Sequence, residues 1–299
     1  MKSPVMRPGD PRDLPRLADL WRSDVREGRQ DSALPEMQMQ KMLARFDWEA
    51  KSRVVDRDAG DIAGAVLVTS RATPHGDIAT LHAAGPAGVS ADLVGWGLRL
   101  AKAAGAVAAD LFVGHGYGEA FRPLGLEMVR PWWRMDRSLR EKVPKVEPVV
   151  GYTLIDGNSV RPGSWGQTFN RSFADHWRFS PRSEEELTRD KAPELCLMAV
   201  TAPAGLPVAI TQGQIESYVD DRRPQPVGLV SSVGTVPEHR RRGLATWLVA
   251  ETLSRFKDAG ARHASLYVDG WSRTRAFDAY GKLGFEVAFE AEVWEASFS

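Results

Sequence analysis

Two stretches of this chain carry the same chemistry in the same order. Leu98-Arg99-Leu100-Ala101-Lys102-Ala103-Ala104-Gly105-Ala106 matches Leu253-Ser254-Arg255-Phe256-Lys257-Asp258-Ala259-Gly260-Ala261, and each reads as a helix end stopped by glycine. A short apolar run follows at the same distance from each glycine, Leu111-Phe112-Val113 in the first half and Leu266-Tyr267-Val268 in the second; both read as strands. Farther on, Phe121-Arg122-Pro123-Leu124-Gly125-Leu126-Glu127 mirrors Tyr280-Gly281-Lys282-Leu283-Gly284-Phe285-Glu286. A repeat of this length is a domain rather than a solenoid module, so the chain is expected to fold as two like units. Its 299 residues agree with that, being too many for one small core.

Between the copies, Leu139-Arg140-Glu141-Lys142-Val143-Pro144-Lys145-Val146-Glu147-Pro148 has the charge and prolines of an exposed linker. The expected division is a first domain at 1–141, a linker at 142–149 and a second domain at 150–299. The first half predicts a helix over 11–26, strands at 62–70 and 77–84, and a helix over 90–104. In the second half, 165–177 reads as helical and 196–201, 208–219 and 227–236 as strands. Helices interleaved with strands predict an α/β class, a mixed sheet with flanking helices.

Hydrophobic residues at 43% and charged residues at 26% suffice for packed cores. The formal charge is zero, from 39 basic and 39 acidic side chains, which argues against nucleic acid or an anionic membrane as partner. Any anion must be held locally. The single cysteine, Cys196, lies in an apolar run and forms no disulfide framework or cysteine-rich metal site, so no metal is expected. Neither the opening Met1-Lys2-Ser3-Pro4 nor any later run is apolar enough for a signal or a membrane span. A cytoplasmic protein, monomeric or homodimeric, is expected.

The most informative segment follows the strand-like run 227–236. Pro237-Glu238-His239-Arg240-Arg241-Arg242-Gly243-Leu244-Ala245 leads into a helix whose apolar stripe is Ala245, Leu248, Val249, Leu253 and Phe256. A strand, a tight turn and a helix start leave backbone N–H groups pointing into one concavity, where the helix dipole favours an anion. Gly243 and the small Ala245 leave that concavity open. The string Arg240-x-x-Gly243-x-Ala245 in this setting resembles the acyl-CoA motif of the GNAT acetyltransferase superfamily. The resemblance implies that Arg240, Arg241, Arg242, Gly243, Leu244, Ala245 and Thr246 hold the coenzyme pyrophosphate. It also implies that Val233, Gly234 and Thr235 bind the pantetheine arm and acyl carbonyl, with acetyl-CoA the expected donor.

A second element agrees with the family: Ala276-Phe277-Asp278-Ala279-Tyr280 and then Leu283-Gly284-Phe285. Ala276 and Tyr280 are one turn apart on one face, and the resemblance makes Tyr280 the acid that protonates the departing thiolate. Arg273 stands where the family often has asparagine and is carried over as a coenzyme contact. No carboxylate lies within 227–236, so Glu216 is the candidate general base and His239 the alternative. Carboxylates at Glu216, Asp220 and Asp221 near the tryptophans of 165–177 suit a small cationic amine as acceptor.

The first copy departs from the motif twice. Its turn is Ala84-Gly85-Pro86-Ala87-Gly88-Val89-Ser90, with no arginine, and Phe121 stands in place of the tyrosine. The expectation is therefore two tandem GNAT folds, the N-terminal one degenerate, an arrangement similar to that of the mycothiol synthase family. The expected activity is acyl transfer to the primary amine of a small molecule by direct attack. Another acyl donor such as aminoacyl-tRNA, or a non-catalytic acyl-CoA sensor, would use the same fold.

Overall fold

Runs of alternating or continuous apolar residues, closed by glycine-ended helices, set the order of elements in each half. The computed structural model describes residues 6–57, 60–218, 223–272 and 274–298. In chain order the first half runs β1 (Met6–Arg7), α1 (Leu14–Arg26), α2 (Glu36–Met42), α3 (Trp48–Lys51), β2 (Ser52–Asp56), β3 (Ile62–Arg71), β4 (Ile78–Ala84), α4 (Ala87–Ala103), β5 (Ala108–Gly114) and β6 (Glu127–Ser138). The second runs β7 (Tyr152–Asp156), α5 (Ser164–Phe173), α6 (Glu184–Thr188), β8 (Cys196–Thr201), β9 (Pro207–Glu216), β10 (Val227–Thr235), α7 (Leu244–Asp258), β11 (His263–Asp269), α8 (Ala276–Lys282) and β12 (Glu286–Ser297). The stretch 139–149 carries neither helix nor strand.

The expected α/β class and the element types hold, with shifts at the ends. The helix expected over 165–177 stops at Phe173, because the chain turns at Ala174 before His176 and Trp177. The strand expected over 208–219 ends at Glu216; Val219 lies outside the described residues.

The chain divides into two units, the first built chiefly of Met1–Trp132 and Phe289–Ser299, the second of Trp133–Ser217 and Arg223–Ala288. Each is therefore completed by a strand from the far half of the sequence. In the first unit the strand order is β1-β2-β3-β4-β5-β12, and β12 lies antiparallel to β5, from Ala291↔Gly114 to Ser297↔Ala108. In the second unit the order is β6-β11-β10-β9-β8-β7, with the half of β6 from Trp133 onward beside β11.

Helices cover both faces of each sheet. In the first unit, α4 packs Leu93 and Val94 on Val66, Leu81 and Leu111, with Phe121 and Trp294 in the same cluster. On the other face α1 buries Leu14, Leu17 and Leu20 against Val54, Ala65 and Leu67. In the second unit, α7 buries Val249, Leu253 and Phe256 over Val230, Ala264 and Leu266. Across that sheet, α5 packs Trp165 and Phe169 on Met198 and Ile210. Gly213 and Gly228 are glycines because a Cβ at either would meet the Phe256 ring, within 2.7 Å in the case of Gly213. No helix among the described residues is long and apolar enough to cross a membrane.

Candidate active site

In the second unit, parallel strands β10 and β11 pair only from Val227↔His263 to Val230↔Leu266. Beyond that, β10 continues to Thr235 with β9 as its partner, Val233 opposite Thr211 and Thr235 opposite Ala209. The register shifts between Val230 and Ser232, a bulge at Ser231. The parallel pair thus parts at Leu266 and forms a wedge, into which the 231–235 edge of β10 turns main-chain donors and acceptors.

At the wide end of the wedge the chain passes through a short 3-10 turn, Pro237–His239, and enters α7. Arg241 (φ 64°) and Gly243 (φ 87°) are both left-handed, which glycine accepts freely and arginine does not. Gly243 caps α7 with no side-chain hydrogen bond. The first helical N–H groups therefore keep their pull on an anion. A Cβ at Gly243 would meet only Val149 Cγ2, 3.9 Å away, so the concavity is open there. Arg241, Arg242 and Gly243 are exposed, Ala245 and Thr246 half-buried, and Leu244 is buried in the core. Residues 241–246, with their donors free of a cap, suit a pyrophosphate.

Arg240 behaves differently from its neighbours. Its Nε donates to the Thr235 carbonyl (3.1 Å) and one Nη to the Ser172 carbonyl (3.0 Å). The guanidinium also forks onto both Asp175 carboxylate oxygens (2.6 and 2.8 Å). The Asp175 hydrogen bonds raise the Arg240 pKa above the usual arginine range, and the same pair holds Asp175 below that of an ordinary carboxylate. His239 is tied to β7 by Tyr152, hydroxyl to Nδ1 at 2.8 Å, with the rings edge to face.

Val233 and Thr235 are half-buried, and Gly234 is buried against α5. A Cβ at Gly234 would come within 2.8 Å of Phe173 and of Ser172. On α8 the Tyr280 ring is 7% exposed in the cluster with Val249, Leu253 and Phe256, edge to face with Phe285 at 6.3 Å. Burial alone pushes its phenol above the usual tyrosine range.

Glu216 does not pair with the 231–235 edge of β10, although it lies within electrostatic reach of Lys191. It closes β9 opposite Val227, hydrogen-bonded by the Gln214 amide. It stands five residues along β9 from Thr211, about 17 Å of extended strand. Asp220, Asp221 and Arg273 lie outside the described residues. At the bulge, by contrast, Lys191 sends its ammonium to Ser231 Oγ at 3.4 Å, and burial pushes its pKa down. Nothing in Asp190-Lys191-Ala192-Pro193 marks that lysine out in the sequence; only the pairing of β8, β9 and β10 carries it to the bulge. Among the described residues no group of three or more His, Cys, Asp or Glu could hold a metal.

The first unit has the same wedge, since β4 and β5 pair in parallel only from Ile78↔Ala108 to Leu81↔Leu111. Its own chain fills it. Gly114 N donates to the Arg29 carbonyl (2.9 Å) and the Gln30 amide to the Ala83 carbonyl (3.1 Å), so residues 29–30 bridge the parted strands. Gly114 is glycine because a Cβ would overlap the Gly28 carbonyl. The Gly85 N–H, at the turn, is taken by Asp24 Oδ2 (2.8 Å), and the Gly85 carbonyl by the Tyr117 hydroxyl.

Residues 214–288, the parted strands and their helix, match the acetyltransferase (GNAT) domain family. This segment is a GNAT acetyltransferase domain. The chain is 32% identical over 179 residues to a mycothiol acetyltransferase from Kytococcus sedentarius, covering 55% of this chain and 56% of that one. It is 30% identical over 169 residues to a second, from Thermomonospora curvata, covering 54% and 53%. The chain thus matches about half the length of these curated relatives. Among solved structures, a GCN5-related N-acetyltransferase from Sphaerobacter thermophilus superposes with a TM-score of 0.80 at 22% identity, covering 98% of this chain and 95% of that one. A tandem GNAT protein from the clavulanic acid biosynthesis pathway gives 0.69 at 17%, covering 99% and 98%. The architecture is the tandem GNAT fold, with a first copy whose wedge is filled.

Proposed function

We propose that this protein is an N-acetyltransferase that takes its acyl group from acetyl-CoA and passes it to the primary amine of a small molecule, using residues 150–299. The observation that carries this reading is the wedge between β10 and β11, which ends at an uncapped helix start turned by left-handed Arg241 and Gly243. The donors of 241–246 would hold the pyrophosphate, and the 231–235 edge of β10 the pantetheine arm and the acyl carbonyl. Acetyl-CoA supplies an activated carbonyl and a thiolate leaving group. The free amine attacks the acyl carbon from the α5 side of the sheet and gives up its surplus proton to water, while the carbon–sulfur bond breaks and Tyr280, kept neutral by burial, donates its proton to the departing sulfur. The name borne by the relatives supports a small amine acceptor.

Calorimetric titration of acetyl-CoA into the wild-type protein and into Gly243→Glu tests this. One site per chain is expected, lost when a carboxylate enters the turn. Saturation at about 100 times the dissociation constant should add roughly 2.7 kcal/mol to stability in a melting experiment on the wild type alone. Absence of both heat and thermal shift in the wild type would refute the donor assignment, and two sites would refute the confinement to the second unit.

A further inference from the structure

Arg240 stands in the turn that would hold the coenzyme, yet four of its five donors are taken by other groups. One N–H goes to the carbonyl that ends β10 and another to the Ser172 carbonyl in the last turn of α5. Two more fork onto Asp175 just past that helix, a bidentate geometry stronger than a single neutral hydrogen bond. A second ion pair of opposite polarity crosses between the same two elements, Arg171 of α5 to Glu238 of the turn at 3.4 Å. Gly234 adds a third link, for its missing Cβ lets Ser172 and Phe173 lie directly on the strand end. The C-terminal end of α5 is therefore fastened to the end of β10 and the coenzyme turn at three points, and Arg240 touches strand end and helix end from within the turn.

The C-terminal carbonyls of a helix carry partial negative charge and are normally left to solvent. A guanidinium placed there satisfies one of them and fixes how the helix end meets the strand. Helix α5 forms the side of the sheet opposite α7, from which an acceptor would approach under the proposed function, and His176 and Trp177 lie three and four residues past its end.

We infer that Arg240 is a positioning residue rather than a phosphate ligand: through Thr235, Ser172 and Asp175 it couples the acceptor-side helix α5 to the coenzyme turn, so that filling the turn also orders α5. The coupling rests on the proposed coenzyme site, but the clamp exists without ligand and is tested without it. Lysine keeps the charge of Arg240 and loses the fork, and Asp175→Asn removes the charge that the fork grips.

Hydrogen exchange is followed on the peptide covering 164–177, in the ligand-free full-length chain, for wild type, Arg240→Lys, Asp175→Asn and the double variant. Each single change should speed exchange by about tenfold, roughly 1.4 kcal/mol of local stability, and the double variant should be no faster than Arg240→Lys. Unchanged exchange in Arg240→Lys, with the global melting temperature retained, overturns the clamp. With saturating acetyl-CoA, the wild type should gain protection in 164–177 as well as in the turn. Both variants should still bind, within about threefold of wild type, and protect the turn only. A loss of acetyl-CoA affinity above a hundredfold in Arg240→Lys, with Asp175→Asn normal, would make Arg240 a phosphate ligand and overturn the inference. Failure of the wild type to bind acetyl-CoA would instead strike the proposed function, and the ligand-free comparison would still decide the clamp.

Discussion

Burial without a charged partner lifts the phenol of Tyr280, so it keeps its proton beyond the pH of about 10 at which a free tyrosine ionises. A weaker acid is a poorer proton donor in water, but the same desolvation that raises the phenol also raises a departing thiolate placed beside it, which keeps the two matched. Tyr280→Phe is expected to retain acetyl-CoA affinity and lose about 10²–10³ in turnover. Because the neutral phenol is the active form and its titration is displaced upward, the wild-type rate should show no alkaline fall near pH 10. Turnover in Tyr280→Phe equal to the wild type would remove it from the chemistry. The placement of this residue on a helix and against Phe285 was legible in Ala276-x-x-x-Tyr280 followed by Leu283-Gly284-Phe285. The use of Arg240 was not, because sequence reports that a guanidinium is present and says nothing of which carbonyls lie within its reach.

At the scale of elements, the α7 stripe was readable because helical period and glycine stop coincide: Leu248, Val249, Leu253 and Phe256 are all buried. Ala245, counted in the same stripe, stays half-buried at the open mouth of the wedge, while Trp247 is buried against β7 and β8. What periodicity could not reveal is the wedge itself, since the residues that pair and those that part have the same strand-forming chemistry. Nor does it show how β6 is held to β11. Asp136 on β6 accepts from Ser265 Oγ at 2.6 Å and lies 3.2 Å from Arg134, 3.9 Å from Arg223 and 3.6 Å from His263 Nε2. Burial pushes its carboxyl up, but His263, Arg134, Ser265 and Arg223 together bring it below the ordinary value. A depressed folded pKa means that the folded state binds fewer protons than the unfolded one. The stabilisation is thus present above about pH 4, the unfolded aspartate value, and is lost as pH falls through the folded value. Asp136→Asn should melt well below the wild type at pH 7, and the two melting curves should converge as pH is lowered toward 3. A gap that stays constant with pH would show that the Asp136 charge is not what holds the strands.

For the whole molecule, the repeat predicted two units but hid which strands build them. A strand carries the same apolar signature whichever sheet it joins, so β6 and β12 look, in sequence, like the closing strands of their own halves. Instead β12 lies along β5, and Trp294, fully buried, joins Phe121 and Leu111 in the first unit's core. Its indole N–H is satisfied by Glu292 at 2.8 Å, and Gly118 is glycine because a Cβ would overlap that indole. Deleting a buried tryptophan of this kind costs about 3–5 kcal/mol, a large share of the roughly 5–15 kcal/mol that a domain has in total. Removing the strand would in addition bare the β5 edge over 108–114. A chain ending at residue 288 is therefore expected to lose hydrogen-exchange protection in β4 and β5, more than a hundred residues from the cut in sequence. β9 and α7 should keep theirs. Adding a synthetic peptide of residues 286–298 should restore the protection of β5, because the missing partner is a strand and not a covalent link. If β5 stays protected in the shortened chain, the first unit closes without β12, and the two repeats are independent domains after all.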